Sequence, residues 1–70
     1  MEHVLAKTIL IAKTIELIAA KEGLSIEEAS NRFYASRVID MLDDDETGLY
    51  GESALLLLSL FESETKRHGH

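Results

Sequence analysis

The sequence predicts an all-α fold, a compact bundle of three to four helices at about residues 2–22, 26–35, 37–43 and 53–64. Three observations predict it. The 70 residues include no proline and only four glycines, so little in the chain interrupts a helix. Apolar side chains recur at helical spacing through the first 22 residues. Ser25-Ile26-Glu27-Glu28 then fits a capping box that opens a second helix directly after a glycine.

At about 100° per residue, Val4, Ile11, Ile15 and Ile18 form one row of the first helix, with Thr8 in the gap. Leu5, Ile9, Ala12 and Ala19 form a second row, interrupted by Glu16. Leu10 and Leu17 lie away from both, and only a strip of His3, Lys7, Thr14 and Lys21 is consistently polar. A helix apolar around most of its circumference needs neighbours on several sides. Gly23 is placed to end it in a left-handed C′ conformation.

In the second helical region Ile26, Ala29, Phe33 and Ala35 form the inward face. It can run unbroken to Leu42, or break near Tyr34–Arg37 with Ser36 capping a new helix; the break is favoured. Asp43-Asp44-Asp45-Glu46-Thr47-Gly48 reads as a loop, because adjacent carboxylates repel at the negative end of a helix. Ser53 is the N-cap of the last helix, which carries Ala54-Leu55-Leu56-Leu57-Leu58, Leu60 and Phe61. Residues 1–64 form the single domain, and residues 65–70 read as a polar, frayed tail.

A chain this short buries only about 60% of the surface its unfolded form exposes. It has no cysteine, so neither disulfides nor zinc–thiolate sites reinforce it. The net charge of −6 and pI near 4.8 argue against nucleic acid or an anionic membrane as partner. Residues 1–22 balance three lysines with three glutamates, so all of the net charge falls in residues 23–70. No stretch has the roughly 18–20 uncharged apolar residues of a membrane span, and the start lacks a basic export signal. A cytoplasmic protein is expected.

Chemistry is sparse. Counted from Asp43, the acidic stretch places Asp, Asp, Thr and Gly at positions one, three, five and six of an EF-hand loop. Position twelve is Ala54, so the bidentate carboxylate is missing and calcium is not expected. His3, His68 and His70 lie at the chain ends, and no internal histidine can activate Ser25, Ser36 or Ser53. No catalytic residue, cofactor or metal ligand is assigned, and the chain is read as non-enzymatic. Arg32, Arg37 and Tyr34 are a weak DNA-binding footprint, which leaves a small DNA-binding regulator as the less favoured alternative; the arginines are expected to pair with the acidic loop or to rim an interface.

What remains is association. Leu10, Leu17, Tyr34, Tyr50, Leu57, Leu60 and Phe61 are the candidate interface, with Asp43, Asp44, Asp45 and Glu46 steering a basic partner. The partner is another protein or a second copy in a homodimer.

The order Ser25-Ile26-Glu27-Glu28-Ala29, Phe33-Tyr34-Ala35-Ser36, Glu46-Thr47-Gly48-Leu49-Tyr50 and Glu52-Ser53 resembles a family of small all-helical bacterial proteins known as a domain of unknown function. Its most specific pieces are Phe-Tyr-x-Ser and Thr-Gly-Leu-Tyr. The chain departs from the family in having Ala54 where members often have proline. The resemblance implies no enzymatic activity. It implies a context beside ADP-ribosyltransferase-like proteins, as for an antitoxin or accessory subunit.

Overall fold

A computed structural model of the chain describes residues 4–68, with side chains at all of these but 45 and 66–68. The expected helix start at residue 2, His3 and His70 lie outside the described residues. Four α-helices are formed, α1 (Val4–Glu22), α2 (Ile26–Tyr34), α3 (Arg37–Asp43) and α4 (Ala54–His68), and no strand occurs among the described residues. Two single 3-10 turns, Asp45–Thr47 and Leu49–Gly51, fill the space between α3 and α4.

Each boundary has a local cause. α1 ends in a Schellman motif, in which Gly23 at φ 70° lets the Leu24 amide donate to Ala19 O at 2.9 Å. Ser25 then opens α2, its hydroxyl accepting from the Glu28 amide at 3.1 Å. The helical region does break after Tyr34. Ser36 sits at the N-cap of α3 without capping it, because its hydroxyl instead donates back to Phe33 O at 2.6 Å. The cap comes from α4: the Arg37 amide lies 3.0 Å from both carboxylate oxygens of Glu64. Ser53 caps α4 through the Leu56 amide at 3.3 Å. That helix continues to His68, past the expected end at 64. The Thr65 hydroxyl donates to Phe61 O at 2.9 Å.

The core joins Leu10, Ile15, Ile18 and Ala19 of α1 to Ala29 and Phe33, Val38 and Leu42, Leu49, and Leu57, Leu58 and Phe61. Phe33 and Phe61 meet with ring centroids 6.1 Å apart. Thr14, counted on the polar strip of α1, is fully buried; its hydroxyl donates to Leu10 O at 2.7 Å, so the helix itself satisfies it.

The direction of α4 follows from two contacts. Lys21 Nζ lies 2.7 Å from Glu62 Oε2, and the Leu49–Gly51 turn just before α4 also packs on α1. In an antiparallel pair that turn would lie beyond Glu22, where α1 has ended. α1 and α4 therefore run in the same sense. At about 1.5 Å per residue, Ala54 lies about 12 Å back from the Lys21–Glu62 bridge, level with the middle of α1. The first turns of α1 project past the body of the bundle.

Candidate interaction surface

The projecting turns leave apolar side chains uncovered. Val4 is 58% exposed, Leu5 69% and Ile9 47%. In the first turn of α4, Leu55 is 67% exposed and Leu56 is also open. Val4 belongs to the same row as the buried Ile15 and Ile18, so its exposure comes from position along the helix, not from the face it occupies. Leu5, Ile9 and Ala12 occupy the neighbouring face, with exposed Lys13 one turn beyond Ile9.

This differs from the interface expected from the sequence. Leu57 is 0% exposed, and Leu10 and Phe61 are buried with it in the core, so these three are not available to a partner. Leu17, Tyr50 and Leu60 are half-buried and pack against the core. Only Tyr34 of that set stands open, its ring edge-on to Phe33 at 6.3 Å. The cause lies in α4, which is covered by α1 on one side and α3 on the other and so buries Leu57 and Leu58 together. The exposed Val4 is the start of an apolar row whose later members are buried.

The acidic segment is more ordered than a loop and lies at the same end as the overhang. Asp43 is the last residue of α3, and the chain then passes through both 3-10 turns to the start of α4. Asp44 Oδ1 accepts from the Glu46 amide at 3.0 Å. Thr47 Oγ1 lies 2.6 Å from Met41 O and 2.8 Å from Asp44 O, closing the end of α3. Gly48 takes φ 69°, which turns Leu49 into the core and Tyr50 against it. Thr47-Gly48-Leu49-Tyr50 is thus a helix stop, a left-handed hinge and two anchors. Asp43, Asp44 and Glu46 are exposed, and the side chain of Asp45 lies outside the described residues. Among the described residues no group of three or more His, Asp or Glu is placed to hold a metal ion.

Of the two expectations for Arg32 and Arg37, pairing with the acidic segment is not seen among the described residues. Arg32 instead lines an open cleft of about 580 Å³ with Glu22, Ser36, Phe61, Glu64 and Thr65. Three polar groups of this cleft serve the fold: Glu64 holds the α3 amide, and the Ser36 and Thr65 hydroxyls donate to backbone carbonyls. The hydroxyls of Ser25 and Ser53 are likewise engaged as caps.

No family model, no curated protein and no solved structure matches the chain. The resemblance to the small bacterial family therefore stands on its quoted motifs alone. No helix among the described residues is long and apolar enough to cross a membrane.

Proposed function

We propose that the chain is a non-enzymatic helical module for protein–protein interaction, and that it binds through the projecting end of α1. The observation that carries this reading is the set of open apolar side chains in the first turns of two helices, Val4, Leu5 and Ile9 on α1 with Leu55 and Leu56 on α4. A chain of 70 residues gains little by leaving such groups in water unless a partner covers them. The acidic segment beside them supplies charge that orients an approaching surface. In the form that the family resemblance implies, the partner is an ADP-ribosyltransferase-like enzyme and the chain is its antitoxin-like or accessory subunit.

The test is site-specific photo-crosslinking in cells that produce the protein. A crosslinker in place of Leu5 is expected to give discrete protein adducts, and one in place of Glu27, exposed on α2, is not. Mass spectrometry of the adduct identifies what covers the surface. Equal background from both positions overturns the reading.

A further inference from the structure

Val4 and Glu22 are the two ends of the 19-residue α1, about 27 Å apart at 1.5 Å per residue. At the Glu22 end, the cleft of about 580 Å³ opens between the ends of α1 and α2 and the second half of α4. Its size falls within the roughly 300–1,000 Å³ of sites that take small molecules. A smaller hollow of about 230 Å³ shares Glu22 and Thr65 with it and is lined on its other side by the Lys21–Glu62 pair.

The side chains of the cleft fall into two sets. Glu64, Ser36 and Thr65 are committed to the fold. Glu64 accepts from the Arg37 amide, and the two hydroxyls spend their protons on Phe33 O and Phe61 O. Toward the cleft these three can only accept. Arg32 and Glu22 are exposed, and neither is in an ion pair among the described residues, with the other or with any third group. A ligand group can therefore stand between them. Arg32 brings five N–H donors and no acceptor, whereas Glu22 brings acceptors alone. Ala35 and the buried Phe61 give the cleft an apolar wall.

Such a lining matches a ligand that carries both charges. An anion alone suits Arg32 but faces the carboxylates of Glu22 and Glu64, and a cation alone faces the guanidinium. A carboxylate in the ligand takes two parallel N–H bonds from Arg32, while an ammonium in the same ligand donates to Glu22. We propose that the cleft binds a small zwitterion of the amino-acid class, with its carboxylate on Arg32, its ammonium on Glu22 and an apolar side chain against Ala35 and Phe61. The site is separate from the projecting end of α1 and does not depend on it.

Amide NMR of the full chain near neutral pH, titrated with L-leucine, L-methionine and L-phenylalanine, tests it. At least one of the three is expected to give saturable shifts with a dissociation constant near about 1 mM, as suits an open site. The amides of Arg32, Ala35, Ser36 and Thr65 should move, and those of Leu5 and Ile9 should stay in place. Two analogues of the amino acid that binds separate the contacts: the amine and the carboxylic acid that share its side chain. Each is expected to bind at least about tenfold more weakly than the amino acid. Arg32→Gln should weaken the amino acid by at least about tenfold and leave the amine unchanged. Glu22→Gln should weaken the amino acid and leave the carboxylic acid unchanged. Both positions are exposed, so the melting curve should stay in place in either variant. No saturable shift with any of the three amino acids up to about 20 mM overturns the inference. So does an amine that binds as tightly as its amino acid, or a titration that Arg32→Gln leaves unchanged.

Discussion

The two halves of α1 are nearly alike in composition and opposite in circumstance. Val4, Leu5 and Ile9 stand in water, whereas Ile15, Ile18 and Ala19, two turns further on, are packed under α2 and α4. Val4 shares its row with the buried Ile15 and Ile18, whereas Leu5 and Ile9 share theirs with Ala12 and Glu16, which are exposed as well. For Val4 the difference is where α4 stops: α4 starts level with the middle of α1, and Val4 lies before that level. A hydrophobic side chain is therefore part of the core or part of a surface according to the register of a helix remote in sequence.

The largest expected effect breaks this comparison directly. Ile18→Ala removes a fully buried side chain and should lower unfolding free energy by about 2–5 kcal/mol. For a domain this size the whole stability is only about 4–10 kcal/mol. Leu5→Ala, measured by the same urea titration under conditions where the chain is monomeric, should change it by less than about 0.5 kcal/mol. Comparable losses at both positions would mean that the overhang is covered within the monomer.

Glu64→Ala comes next. It removes the carboxylate that caps α3 and should cost about 1 kcal/mol, with the melting of α3 residues followed by amide exchange. Glu64→Gln keeps one oxygen acceptor and should lose less. The smallest effect sharpens the comparison within the buried half. Thr14→Val replaces a hydroxyl that is bonded only to its own helix, so stability should hold within about 0.5 kcal/mol. A large loss there would show that the hydroxyl serves more than the Leu10 carbonyl.

The parts of this architecture that could be read from sequence are those fixed by neighbours in the chain. Gly23 and Ser25, the break after Tyr34 and the Ser53 cap each rest on contacts within five residues. The helical class follows from the same local signals. The burial of α4 could not be read in this way, because Leu55-Leu56-Leu57-Leu58 is apolar on every side and only α1 and α3 choose between them. Thr14 counted as polar because a side chain's own helix can satisfy it without leaving a mark in the pattern. The cap on Arg37 comes from 27 residues away, so no local motif announces it. The candidate surface was half legible. An apolar surplus and an acidic segment were both visible, but the surplus was assigned to leucines that the fold encloses.

The cap that Glu64 places on α3 also has a consequence for the order of assembly. α3 has seven residues, too few for an isolated helix to persist in water. Its first amide is satisfied only once α4 has formed and come to rest beside it. The loop between the two must close before α3 is worth forming, so α3 should appear late in folding and open together with α4. Shortening the chain on the amino-terminal side of Glu64 would then dissolve a helix that the cut itself never touches.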